Sequence, residues 1–116
     1  AFGPGGTGIV STDFSSSEES GVALATDADG KIMVAAYYRK TSGQPQTYDF
    51  ALFRYTRDGS LDTTFGNGFG MVHSDFGGNL NDLASCMVVQ REGKIVVAGA
   101  VANSSNYDIG VARYWP

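Results

Sequence analysis

Apolar residues along the chain fall into short runs broken by Gly, Asp, Asn and Ser. The runs are rich in Val, Ile, Tyr and Phe, which suit a pleated, half-buried surface. They predict strands over 8–14, 21–26, 31–38 and 48–56. The second half predicts strands over 70–76, 83–90, 94–102 and 107–114. Asp29-Gly30 and Glu92-Gly93 stand between strands as tight hairpin turns, with Gly supplying the positive φ. No window holds a period of 3.6, so almost no helix is expected.

The two halves are copies of one another. Phe2 to Tyr55 aligns with Phe65 to Tyr114, and the repeats are read as 2–64 and 65–116 of one two-blade unit, 1–116. The second and third runs of each copy are almost continuously apolar: Val22-Ala23-Leu24-Ala25 and Ile32-Met33-Val34-Ala35-Ala36 in the first. Such strands are covered on both faces. A four-stranded sheet cannot do this for itself, but neighbouring blades of a β-propeller can. The expected fold is all-β, with two four-stranded antiparallel blades per chain.

Composition narrows the function classes. A net charge of −4 argues against a nucleic-acid partner, which needs a basic surface. A charged fraction of 17% beside 42% hydrophobic argues against disorder. Gly at 16 and Pro at 3 fit many tight turns between short strands. One Cys excludes an internal disulfide framework, and one His with one Cys excludes the common zinc sites. No apolar run approaches the roughly 18–20 residues that cross a membrane as a helix.

The segments LDTTFGNGFGMVHSDFGG, the DGKI-type hairpin and YDFALFRYTRDGSLDTTFG resemble the delta-60 repeat. The resemblance covers both copies. It implies β-propeller blades and a bacterial secreted or surface protein, and it implies no particular activity. Copy two departs from the pattern at Arg91-Glu92-Gly93 and again at Trp115-Pro116, where TRDGSLDTT is expected.

In propeller order, 21–26 is the innermost strand of its blade and 70–76 the outermost. The chain then opens on an outermost strand, 8–14, and closes on a third strand, 107–114. The N-terminal strand is expected to complete a blade of a neighbouring chain or blade, since closure removes exposed edges. A head-to-tail contact of this kind closes a ring. The expected partner is a homo-oligomer of three or four chains. A piece of a longer repeat protein is the competing reading.

The candidate chemistry is thin. Asp13, Asp75, Asp49, Asp108, Arg54 and Arg113 recur at matching places, which favours a structural network over a catalytic site. The Asp27-Ala28-Asp29-Gly30 stretch reads as a hairpin rather than a calcium loop. His73, Ser74 and Asp75 alternate along a strand and cannot converge as a triad. Cys86 reads as a buried, inert thiol. Tyr37, Tyr38, Tyr48, Tyr107 and Trp115 are the candidate binding residues, because their rings stack on sugars while keeping a polar edge. Trp115 is also read as an anchor at the subunit junction. No catalytic residue, metal ligand or cofactor is assigned. The expected function is a non-enzymatic, secreted or surface-exposed structural and binding module with a glycan or protein ligand. The alternatives are a strict lectin and an enzyme with its site at the ring axis.

Overall fold

The structure, a computed structural model, describes residues 1–14, 18–39 and 46–116. The first blade is a four-stranded antiparallel sheet of β1 (Glu18–Thr26), β2 (Ile32–Arg39), β3 (Tyr48–Tyr55) and β4 (Met71–Ser74), in that order. The second has three strands, β5 (Asp82–Val89), β6 (Ile95–Ala102) and β7 (Tyr107–Tyr114). Among the described residues, helix is limited to one 3-10 turn at Pro4–Gly6. No helix among the described residues is long and apolar enough to cross a membrane.

Most predicted strands sit within a few residues of the observed ones, and the first is the exception. Residues 8–14 join no sheet among the described residues. A strand needs a laddered neighbour, and both edges of this segment lack one. It lies instead across the outer face of the first blade, with Phe14 edge-on to Phe53 at 6.3 Å. Most of residues 39–47, between the strands predicted over 31–38 and 48–56, lie outside the described residues.

The hairpins form as their sequences dictate. The backbone N–H of Gly30 donates to the Asp27 carbonyl at 3.1 Å, and Gly30 takes a φ of +78°. The Asp27 carboxylate accepts the N–H groups of Asp29 and Lys31, each at 2.9 Å. That carboxylate therefore closes a turn, in keeping with the hairpin reading. Gly93 repeats the geometry in the second blade with a φ of +88°.

The core lies between the blades. Met33, Ala35, Phe50 and Leu52 of the first sheet pack against Ala84, Ile95 and Val97 of the second. These side chains alternate along their strands, so one face of each sheet points inward. Burying a residue of Phe50's size contributes roughly 1.5–3 kcal/mol. A second cluster, Ala36, Ala51, Phe53 and Met71, lies on the opposite face of the first blade.

Both blades carry a bulge at the same place, between Gly21 and Ala23 in β1 and between Ala84 and Cys86 in β5. Beside it the small residues exchange places. Gly21 faces Ala36 in one blade, and Ala84 faces Gly99 in the other. A Cβ on Gly99 would lie 2.1 Å from the Leu83 carbonyl oxygen and 2.8 Å from the Ala84 Cα. Each pair thus holds one methyl. Gly99→Ala is expected to cost about 1–3 kcal/mol by overpacking. The atoms met are backbone, so adding Ala84→Gly, which removes a methyl and leaves that backbone in place, should recover none of that loss. Urea denaturation of the two single variants and the double variant measures the coupling.

Candidate functional site

One charged, buried site is a clamp at the end of β3. The Asp62 carboxylate accepts from Arg54 Nε at 2.9 Å and pairs with Lys31 Nζ at 3.0 Å. Its other oxygen accepts the backbone N–H of Thr64 at 3.0 Å and the Thr64 hydroxyl at 2.6 Å. The Asp62 N–H donates to the Arg54 carbonyl at 2.8 Å, so the returning chain rests on the end of β3. The Arg54 guanidinium lies over the Phe65 ring, 4.5 Å from its centre. The Thr64 hydroxyl first, helped by Lys31 and Arg54, holds the Asp62 carboxyl far below the usual carboxylate range against the opposing effect of burial.

A second cluster lies where the blades meet. Carboxylate oxygens of Asp49, Asp75 and Asp82 all fall within 4.8 Å of one another. Asp49 and Asp82 are buried, while Asp75 is exposed. Asp82 accepts the N–H of Phe76 at 2.9 Å, and Asp75 accepts that of Gly77 at 2.7 Å. His73 Nδ1 stands 4.0 Å from Asp49, and its ring meets Tyr38 edge-on at 5.4 Å. An oxygen-only set of this kind suits a hard cation such as Ca²⁺, and among the described residues these three have the reach to hold one.

The expected network residues divide by blade. Arg54 and Asp49 are buried, whereas their counterparts Arg113 and Asp108 are exposed, as is Asp13. Two partners were not legible from repetition. Asp62 lies outside the aligned stretch of the two copies. Asp82 corresponds to Glu19, so its acidity recurs but its identity does not. Glu19 accepts the N–H of Phe14 as Asp82 accepts that of Phe76.

The aromatic candidates are dispersed. Tyr37 and Tyr48 meet edge-on at 5.3 Å, while Tyr38, one residue along β2, turns to His73. Tyr107 opens β7 and Trp115 follows its last residue, about 26 Å away at the usual rise per residue. Trp115 carries the Lys94 ammonium 4.5 Å above its ring. These five residues form no single platform. Ser74 hydrogen-bonds the Tyr114 hydroxyl at 2.7 Å, away from His73. Cys86 is exposed rather than buried, which corrects the sequence reading. It lies on the face of the second blade that no further sheet covers.

The family of that architecture is also found by comparison. A profile described as a domain of unknown function (DUF5122) beta-propeller matches residues 28–65 and 90–116, more than half of the chain. The chain belongs to the DUF5122 beta-propeller family. Comparison with curated proteins and with solved structures gave no match. In the DUF5122 chain the matched stretches run from the first hairpin through the Asp62 clamp, and from the second hairpin through Trp115. The clamp is thus part of the matched pattern in the first copy.

Removing the Asp62 charge leaves a buried guanidinium uncompensated. Asp62→Asn is expected to cost about 3 kcal/mol of stability at neutral pH. The folded-state pKa lies below the unfolded value near about 3.9, so the contribution is full above that pH and lost as the pH falls further. Thermal melts of the two proteins are expected to differ at pH 7 and converge in strong acid.

Proposed function

We propose that the chain is a building unit of a larger β-propeller, joining copies of itself head to tail into a ring. The observation that carries this reading is the contrast between matched positions in the two blades. Phe50 and Leu52 of β3 are 0% exposed, whereas the corresponding Ile109 and Val111 of β7 are 86% and 58% exposed. The same apolar face is covered in one blade and bare in the other. Apolar surface of this kind marks an interaction site.

The N-terminal segment supplies the complement. Thr12 hydrogen-bonds the Tyr55 hydroxyl at 2.7 Å, as Ser74 of β4 does that of Tyr114. The segment thus sits on the first blade as β4 sits on the second, in the position of a preceding blade's outermost strand. Within the chain Phe50 faces Ser74 and Leu52 faces Val72. The same register sets Ile109 opposite Thr12 of a second copy and Val111 opposite its Val10. Three or four chains give six or eight blades, within the usual range for propellers.

The ring is non-enzymatic in this reading, since Asp13 and Asp75, Asp49 and Asp108, and Arg54 and Arg113 recur at matching places along the sequence instead of forming one asymmetric constellation. It carries delta-60 repeats and works outside the cell or on its surface, as the resemblance of its motifs implies. A glycan or protein is its ligand, taken at exposed aromatics such as Tyr107 and on the loops of a rigid scaffold.

Light scattering after size exclusion tests the assembly. The wild-type chain of 12.2 kDa is expected at three or four times that mass. Ile109→Asp places a charge on the bare face and is expected to elute as a monomer with an unchanged circular dichroism spectrum. A wild-type monomer at tens of micromolar would sink the ring. A glycan array on the assembled protein separates a lectin from a scaffold.

A further inference from the structure

At one end of the blades a cleft of about 510 Å³ opens between the two hairpin turns. Residues 26–29 of the first hairpin form one wall, and residues 89–93 of the second form the other. Both walls are closed turns. The Gly30 N–H donates to the Asp27 carbonyl at 3.1 Å, and the Gly93 N–H to the Gln90 carbonyl at 2.9 Å. Met33 and Val89 supply apolar lining, and Arg54 reaches the cleft from β3.

The fold leaves open valences on the polar groups of this cleft. The Arg54 side chain is 7% exposed, and its Nε and Nη2 donate to Asp62 and Thr64. Its carboxylate partner is thus already in place. Among the described residues its Nη1 has no hydrogen-bond partner. The Asp27 carboxylate closes its turn through Oδ1, which leaves Oδ2 over. Gln90 stands at the matching place in the second hairpin, where backbone bonds alone close the turn among the described residues. Its side-chain amide is therefore spare. Asp29 and Arg91 are exposed beside them.

The balance of these groups points to a ligand class. Asp62 neutralises Arg54, and Lys94 neutralises Glu92 at 3.2 Å. That leaves Arg91 against Asp27 and Asp29. An anion entering the cleft meets two carboxylates, and a cation meets two guanidinium groups. A hydroxyl both donates and accepts. A neutral polyol therefore satisfies donors and acceptors together. A few placed polar groups beside apolar lining, in a volume of roughly 300–1,000 Å³, is the usual make-up of a small-molecule site.

We propose that the cleft between the hairpins is a binding site for a neutral sugar of one or two rings. Its hydroxyls accept from Arg54 Nη1 and the Gln90 amide and donate to the Asp27 and Asp29 carboxylates, while its C–H face meets the apolar lining. The site rests on the glycan reading above, and it sets the sugar at the opposite end of β7 from Tyr107. Both walls belong to one chain, so the site does not need the ring.

The test is a ligand-observed NMR titration of the full chain with glucose, galactose, mannose, N-acetylglucosamine, maltose and lactose. Saturable binding of at least one of these is expected. It should weaken about tenfold in Gln90→Ala and in Asp29→Ala, as for a lost hydrogen bond. It should be unchanged in Tyr107→Ala. Gln90 and Asp29 are exposed, so both variants keep the fold, which circular dichroism checks. The uronate and amino forms of the bound sugar are expected to bind more weakly than the neutral one. No saturable binding across the panel would overturn the proposal, as would tighter binding of a charged form. Binding lost in Tyr107→Ala and kept in the other two variants would overturn this site and leave the glycan reading standing. A blank glycan array overturns that reading itself.

Discussion

A β-sheet that is apolar on both faces must be covered on both, and this one constraint organises the molecule. The first blade meets it. The second blade covers one face with Ile95 and Val97, and the N-terminal segment lies across the other with Phe14. The second blade meets it on one side only. The energetic stake is large, since each large apolar side chain moved from water to a packed interface contributes roughly 1.5–3 kcal/mol. Several such positions lie bare along β7.

The polar groups follow from the same geometry. Where two blades meet, strand ends and turns bring backbone N–H groups out of water. The carboxylates of Glu19 and Asp82 accept these at matching places, from Phe14 and Phe76. Tyr55 and Tyr114 bind hydroxyls of Thr12 and Ser74 in the same repeated way. Burial raises the pKa of the Tyr114 hydroxyl, and the Ser74 hydrogen bond opposes that shift. The recurring polar residues therefore read as fasteners between blades. The Asp62 clamp is different in kind, because it ties a chain to the end of its own sheet.

Much of the fold was legible because pattern and period agree across two copies. The strand runs, both hairpin turns and the double coverage of the first blade's central strands follow from residue spacing and from Asp-Gly and Glu-Gly pairs, whereas the double coverage expected of the second blade is met on one face only. What escaped were residues whose meaning depends on a neighbour in space. Residues 8–14 have strand composition, yet they lack a paired edge and so form no ladder. Cys86 has apolar neighbours in sequence, yet its side of the sheet is uncovered. The aromatic candidates were near one another in the repeat and were then separated by strand parity and by the length of β7.

By itself the sequence determined that the chain is two copies of one all-β unit and where its turns fall. Periodicity and turn chemistry are local properties and need no tertiary information. Only the tertiary structure decided which copy is buried. Phe50 and Ile109, or Arg54 and Arg113, are equivalent in the repeat, and their environments differ because one face has a neighbouring blade and the other does not. It also decided where the charged groups meet, since Asp62 finds Arg54 and Lys31 only after the chain has turned back along β3. Burial and ion pairing are relations between distant segments, and a repeat read along the chain carries no record of which of its faces is covered.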